Sequence, residues 1–556
     1  MANLLSPRQT WLSLISRNKL LLLLFLSAAF LNLYGANWDQ GHYLHPDERL
    51  YVNASNISLP KSIAEFFSPK SPLNPHMFYY GPLPLYLYKI KSLFLNPNGS
   101  FLITSRLISA LFATLTSLLI FYIGKVVFDK KIGLLSAFIF IFSPGIIQHA
   151  HFITTESILN FLLCLNIVLC IALIKSKKYN FFLLIGLVIG SATASKITGI
   201  TFILIPFIAY TFLLLSAKKR LLLSLYFFSS LLITVFIALI LAPYQIIDFK
   251  NFLHEQQYMQ GVILGSNRAP FTIIYENTPA YLYPLFRILP LTFGFLSLPL
   301  GLIGFLLLTK KAASSFLRNH KNSYHFIIAS IIVYPLLYFL WSGAWYAKFS
   351  RYYILFMPSL SLAAGYFISK LRNTLILFII IFISINGLIF FVNIYFRQNP
   401  RIEASTWVYK SIAPGSAIAG EHWDDYLPMP LSNQKLTPQD YKNLELQVYN
   451  PDSKEKIHTL TGQLYQSDYF IISSRRVYYS ILRNTDEYPY TSRFYKLLFA
   501  GKLGFTLEKK FTNYPFFLSD DWADESFQSY DHPPVLVFKN TLKLMPEKIV
   551  TLIIGN

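Results

Sequence analysis

Two adjacent carboxylates, Asp47 and Glu48, lie in the stretch His45-Pro-Asp-Glu48, just past the first apolar run of the chain. Such a pair can accept a proton, hold a cation or simply face water, and most acid pairs do the last. A third acid, Glu156, opens a later apolar run and follows His149 and His151; Lys196, Lys348 and Arg351 sit at the ends of other runs. A carboxylate near cations is the layout needed to move a group from a phosphate to an acceptor hydroxyl. The acid removes the hydroxyl proton, and Lys or Arg binds the phosphate and neutralises the charge developing on it. Phosphate is already a good leaving group, so no separate acid is required. Each residue also has a plainer reading. Glu48 caps the following helix or holds Arg49, and Glu156 is an acid favoured by the dipole at a helix start. Lys348 and Arg351 snorkel to an interface, and Lys196 is an ordinary loop lysine. Two histidines at the spacing of His149 and His151 are weak support for a metal site, so a divalent metal is not required by the sequence.

The elements that must position these groups are membrane helices. The chain has 556 residues, of which 54% are hydrophobic, 17% aromatic and only 13% charged. A soluble domain carries roughly a quarter charged residues, and apolar runs of about 20 residues, the length that crosses the hydrocarbon core, recur up to Tyr395. The net charge of +21 does not mark a nucleic-acid binder, because the basic residues form no single patch. They cluster in the short loops between runs, at Lys125, Lys130 and Lys131, at Lys175 to Lys178, at Lys218 to Arg220, at Lys310 to Lys321, and at Lys370 and Arg372. That asymmetry, with Arg8, Arg17 and Lys19 before the first run, predicts a cytoplasmic N-terminus, an uncleaved first span and about eleven transmembrane helices. The expected spans are 20–34, 101–127, 132–147, 157–174, 179–194, 200–215, 221–241, 286–308, 326–341, 352–368 and 374–395. The chemistry-bearing residues then all fall on the outer side. Cys164 and Cys170 share one apolar run and indicate neither a disulfide nor a cysteine metal site.

From about Arg397, charges, prolines and short apolar runs replace the long spans. This predicts an extracytoplasmic α/β domain over 396–556, large enough for its own core. Strands are expected at Ala417–Gly420, Tyr469–Ser473 and Val535–Phe538, and helices at Arg401–Ser411 and Ser492–Leu498. His422-Trp-Asp-Asp425 and Asp531-His532 read either as a sugar-binding surface or as loops of that domain.

The His45–Glu48 stretch resembles the first outer loop of the GT-C glycosyltransferases, in the family 39 or protein O-mannosyltransferase-like branch. Asn74-Pro with Phe78-Tyr-Tyr-Gly-Pro-Leu-Pro-Leu-Tyr-Leu-Tyr88, Thr155-Glu156, Lys196-Ile-Thr-Gly199 and Lys348-Phe-Ser-Arg-Tyr352 continue the likeness through residues 1–395, and Ala523–Pro533 resembles tails on some bacterial members. The resemblance implies a transmembrane catalytic module with its acidic motif in outer loop 37–100. It implies Asp47 as catalytic base with Glu48 beside it, and Glu156 as a second acid that positions the acceptor or a cation. Lys348 and Arg351, with Lys196, would contact the phosphate of a polyprenyl-phosphate sugar donor, and His45, Tyr80 and Tyr352 would border the donor and acceptor groove. Loop Asn74–Tyr88 would lie in the interface. The partners implied are that lipid donor and an acceptor glycan, protein or lipid, in the cell membrane. One departure stands out: His151 and Phe152 occupy the place where an arginine is expected before Glu156. A transporter or lipid flippase with an outer accessory domain is the alternative, but it calls for broken or charged helices at mid-membrane and an inverted repeat, and the sequence presents neither. A membrane scaffold would leave Asp47, Lys348 and Arg351 without a role.

Overall fold

Helices Phe101–Val127 and Glu156–Ser176 run through the centre of the bundle, packed against each other and against Lys130–Ile141, Phe181–Ser195 and Leu204–Ser216. The computed structural model describes residues 19–94, 100–318, 323–516 and 518–555; Arg8, Arg17 and Lys321 lie outside the described residues. Each of the eleven expected segments is helical, but their lengths are unequal. Among the described residues six helices are long and apolar enough to cross a membrane, or eight if each of two bent pairs is one span. The chain is a multi-pass membrane protein. On Arg220–Leu241 the large apolar residues Leu221, Phe228, Leu232, Phe236 and Ile240 are exposed, as a lipid-facing helix requires, whereas Glu156–Ser176 is buried almost throughout.

The two bends have local causes. In the third segment, Lys130–Ile141 stops before Ser143-Pro144 and Pro144–Ala150 leaves at 62°, since the residue before a proline is pushed out of the helical region. In the eighth, Pro284–Thr292 and Ser297–Ser314 meet at 112° across Gly294, whose φ is +106°. The expected tenth span begins as a 3-10 turn, Ser350–Phe356, before Met357–Ile368. Lys19–Leu33 and Phe181–Ser195 are 15-residue helices, too short for a full straight crossing.

The long first loop is folded. His45 caps helix Pro46–Ala54: its ring Nδ1 accepts the Asp47 amide at 3.2 Å, Pro46 occupies the first helical turn, and Asp47 and Glu48 face the positive end of the dipole. The stretch expected to lie in the interface instead turns inward. Helix Leu83–Phe94 buries Leu85 and Tyr88 completely, within a cluster that also holds Tyr51, Tyr80 and Ile158.

After Asn373–Tyr395 and Pro400–Ser411 come, among the described residues, five strands: β1 (Ala417–Glu421), β2 (Lys442–Leu446), β3 (Tyr469–Ile472), β4 (Phe505–Phe511) and β5 (Val535–Asn540). Their order is β2-β1-β3-β5-β4, with β1 parallel to β2 and β3, and β5 antiparallel to β3 and β4. The three expected strands are the three central ones. The two that the sequence did not announce, β2 and β4, are edges, and their exposed polar residues hide the alternation. Alternate residues divide between two cores. Ala419, Phe470 and Ile472 pack beneath helices Lys454–Gln466, Arg476–Arg483 and Pro489–Phe499, while Ile418, Ile471, Val535 and Val537 join the apolar cluster that continues into the membrane helices. One sheet face therefore has a core of its own, and the other merges with the bundle.

Candidate active site

Residues Ala523–Pro533 form the wedge between sheet and bundle. Asp531 accepts hydrogen bonds from Gln148 (3.1 and 3.2 Å) and from the Tyr395 hydroxyl (2.9 Å). The Ser350 amide donates to Ser526 Oγ at 2.8 Å, and the Tyr283 hydroxyl to Asp524 at 2.9 Å. His532 lies between Asp531 (2.5 Å) and Asp520 (3.2 Å). Asp531-His532 is thus a buried seam and not a sugar-binding surface. Burial alone would lower the His532 pKa, but the two carboxylates outweigh it and raise it to about 9. Burial carries Asp524 up to about 6.

Above this seam a cavity of about 480 Å³ opens between the bundle and the C-terminal region. Asp47, Tyr80 and Arg351 line one wall; Trp423, Asp424, Arg476, Glu525 and Tyr530 line the other. Asp47 and Arg351, 304 positions apart, form a direct ion pair. Burial by itself would raise the Asp47 carboxyl, but Arg351, aided by His45 and the Tyr80 hydroxyl, holds it below its ordinary range. The Arg351 guanidinium also lies over the rings of Phe349 (4.7 Å) and Tyr352 (5.6 Å).

Glu48 points the other way. Arg106, on helix Phe101–Val127, grips it through Nε (2.9 Å) and Nη2 (2.5 Å) and binds Asp39 through two bonds of 2.8 Å. The Ile153 amide completes the Glu48 shell at 2.8 Å. All three side chains are inaccessible, and burial pushes the Glu48 carboxyl up against the pull of Arg106. Fully buried, held by three hydrogen bonds and absent from the cavity lining, Glu48 is out of reach of a reacting hydroxyl, so in place of the expected catalytic acid it is an anchor of the loop. It does not hold Arg49, which pairs with Asp425 across the cavity rim.

Glu156 pairs with Lys196 at 3.0 Å, and Lys196 Nζ lies 5.7 Å from the Tyr80 ring and 5.5 Å from the Tyr352 ring. This approach depends on Gly81. Its amide donates to the Ser195 carbonyl at 2.9 Å, and a Cβ there would stand 1.9 Å from the Ala194 oxygen. Glu156 and Lys196 sit behind the cavity wall and do not line it.

Three other expectations change. Lys348 does not face the cavity; its Nζ donates to Thr278 Oγ1 (3.0 Å) and the Tyr346 carbonyl (3.1 Å), and burial lowers its pKa to about 8 despite Asp524. A lysine committed to those acceptors is not placed for a phosphate beside Arg351. His45 is a buried cap whose ring contacts Phe152 (4.4 Å) and Tyr530 (4.2 Å), and Tyr352 packs on Trp345 (5.1 Å); neither lines the groove. His151 bonds the Ile147 and Tyr34 carbonyls at 2.7 Å each and stacks on Tyr395, so it is structural, and both ring nitrogens of the buried His149 are without a hydrogen-bond partner. Among the described residues no group of three or more His, Cys, Asp or Glu is arranged to hold a metal ion.

The sequence reading passed over Asp39 and Arg106, although a lone arginine inside an apolar span is itself a signal. Arg401 and Arg476 carried no signal, and Glu525 stood out only as part of the Ala523–Pro533 stretch, because only folding brings them to the cavity.

Residues 81–245 match the family model described as dolichyl-phosphate-mannose-protein mannosyltransferase. No curated protein sequence matches the chain. Among solved structures, the archaeal oligosaccharyltransferase AglB from Archaeoglobus fulgidus, in complex with an inhibitory peptide and a dolichol-phosphate, is 11% identical, with 87% of this chain and 73% of that chain covered at a TM-score of 0.47. ArnT from Cupriavidus metallidurans bound to undecaprenyl phosphate is 12% identical, with 94% and 98% covered at 0.44. The S. cerevisiae protein O-mannosyltransferase Pmt1-Pmt2 complex bound to the sugar donor is 16% identical, with 45% and 36% covered at 0.33. Residues 81–245, the segment that carries Gly81, Arg106, Glu156 and Lys196, are thus similar to the dolichyl-phosphate-mannose-protein mannosyltransferase family.

Proposed function

We propose that the protein transfers a sugar from a polyprenyl-phosphate donor to an acceptor hydroxyl on the extracytoplasmic side of the cell membrane. The observation that carries this reading is the ion pair of Asp47 and Arg351 in one cavity at the end of the bundle. A donor phosphate arriving at Arg351 exchanges for the carboxylate and frees Asp47. The acceptor oxygen then bonds to the anomeric carbon as the bond from that carbon to the phosphate oxygen breaks. The electron pair leaves with polyprenyl phosphate, whose charge Arg351 neutralises, and the acceptor proton passes to Asp47. Glu156 and Lys196 hold Tyr80 and the wall behind it in place.

The test is transfer of labelled sugar from a panel of polyprenyl-phosphate sugars by the purified full chain, with Asp47→Asn and Arg351→Ala beside it. Loss of transfer in Asp47→Asn with donor binding retained, and loss of donor binding in Arg351→Ala, is the expected pattern. Full activity of Asp47→Asn would overturn the assignment of the base.

A further inference from the structure

The cavity wall opposite Asp47 and Arg351 is built from the C-terminal region, and one residue on it is held in an unusual way. Trp423 has a backbone φ of +77°, a left-handed conformation that a bulky side chain adopts only under constraint. The constraint is visible on both sides. The His422 amide donates to the Leu446 carbonyl at 3.0 Å and its ring pairs with Glu445. On the other side the Asp424 side chain is buried, bound by Arg401 at 3.1 Å and by the Ser474 hydroxyl, and it accepts the Asp425 amide at 2.9 Å. With its neighbours held in place, Trp423 is left 49% exposed at the cavity, its ring edge-on to that of His422 at 5.7 Å. A large aromatic face held open beside a cavity is presented for a ligand rather than for the core.

The polar groups around it suit one ligand chemistry. Asp425 is paired with Arg49 and lies 3.4 Å from Arg401 Nε; Glu525 is paired with Arg476 Nε at 2.6 Å. Each anion is already neutralised by a guanidinium, so the wall offers acceptors and donors in alternation with little net charge. Planar carboxylate–guanidinium pairs accept from and donate to vicinal hydroxyls, and the indole covers the apolar face of a pyranose ring. Carboxylates and guanidiniums are matched on this wall, so it presents no excess positive charge to draw an anionic acceptor, and among the described residues no strand residue lines it to pair with an extended peptide.

Taking the proposed sugar transfer as given, we infer that Trp423, with Asp425, Arg476 and Glu525, forms the acceptor subsite, and that the acceptor is a carbohydrate whose pyranose ring stacks on Trp423. The donor phosphate at Arg351 then lies on the bundle side of the cavity, and the acceptor hydroxyl reaches Asp47 from the opposite wall.

The test reads binding without donor, so it does not depend on whether transfer occurs. The full-length protein in nanodiscs is applied to an array of pyranose-terminated oligosaccharides with Ser/Thr peptides on the same slide, as wild type, Trp423→Ala and Trp423→Tyr, each checked for an unchanged melting temperature. Expected is saturable binding to a subset of the glycans, weakened at least tenfold in Trp423→Ala and largely restored in Trp423→Tyr. Binding to peptides only, no glycan binding up to millimolar concentration, or glycan binding indifferent to Trp423→Ala would each overturn the inference. Transfer lost in Asp47→Asn with no glycan binding would remove this subsite and leave the proposed reaction standing.

Discussion

Arg106 joins Glu48 and Asp39 inside the protein, its guanidinium bonded to both carboxylates over distances of 2.5 to 2.9 Å. Because Glu48 follows Asp47 directly, this clamp fixes the Asp47 carboxylate relative to helix Phe101–Val127. Removing one partner of a buried pair leaves an unpaired charge and costs about 3–5 kcal/mol, whereas replacing all partners with neutral groups is far milder. Arg106→Ala is expected to lower the melting temperature sharply, and Arg106→Met combined with Glu48→Gln and Asp39→Asn to recover most of it. Thermal unfolding in detergent followed by intrinsic fluorescence checks both. Glu48→Gln alone is expected to retain far more transfer activity than Asp47→Asn.

Asp47 should set the acid limb of the reaction. Its carboxyl is held below the ordinary range chiefly because Arg351 overcomes burial, so the base is ionised at neutral pH. As pH falls, activity persists until below the usual aspartate value near 4. Removing the cation leaves burial dominant, so in Arg351→Met the Asp47 carboxyl titrates at higher pH. The measurement is the infrared carboxyl band of Asp47 against pH in both proteins without donor, assigned by its loss in Asp47→Asn, and an unmoved midpoint would deny the coupling. Asp47→Asn is expected to lose about 10²–10⁴ in rate, the usual worth of a general base.

Gly81 gives a steric test of the wall behind the cavity. A methyl group there meets the Ala194 carbonyl, and overpacking of this kind costs about 1–3 kcal/mol. Gly81→Ala is expected to lower the melting temperature and to weaken donor binding by displacing Tyr80. Gly462, inside helix Lys454–Gln466 with nothing near its would-be Cβ, is the counterpart. Gly462→Ala is expected to be neutral or to stabilise by up to about 1 kcal/mol.

The seam between sheet and bundle should loosen in alkali. His532 has a pKa of about 9, burial being outweighed by Asp531 and Asp520, against about 6.5 in an unfolded chain. The stabilisation is therefore complete below pH 6.5 and is lost as pH rises through 9, an effect on the order of 3 kcal/mol. The Tyr395 hydroxyl and Gln148 face the same Asp531 carboxylate from the bundle and carry no charge in this range. Melting temperatures between pH 6 and pH 10 should fall in the wild type and change much less in His532→Gln.

Much of this protein can be read without a structure. Apolar runs long enough for a bilayer, basic residues confined to alternate loops and the motifs around Asp47, Glu156 and Arg351 depend only on local composition and order. They were enough to specify a membrane bundle, a C-terminal sheet and a set of chemistry-bearing residues. Strands β1, β3 and β5 were legible because burial on both faces makes them apolar, while edge strands β2 and β4 carry polar residues and were not. What the tertiary structure alone decided is which of the polar residues meet. Asp47 and Glu48 are neighbours in the chain, but successive helical positions point about 100° apart, so one faces the cavity with Arg351 and the other is clamped by Arg106. Lys348 precedes the 3-10 turn Ser350–Phe356 that carries Arg351, and the two side chains separate, toward Thr278 and toward Asp47. The second wall of the cavity joins Trp423 and Glu525 to the Asp47 loop, 376 and 478 positions earlier, a proximity set by burial of the Ala523–Pro533 wedge and invisible to any local pattern.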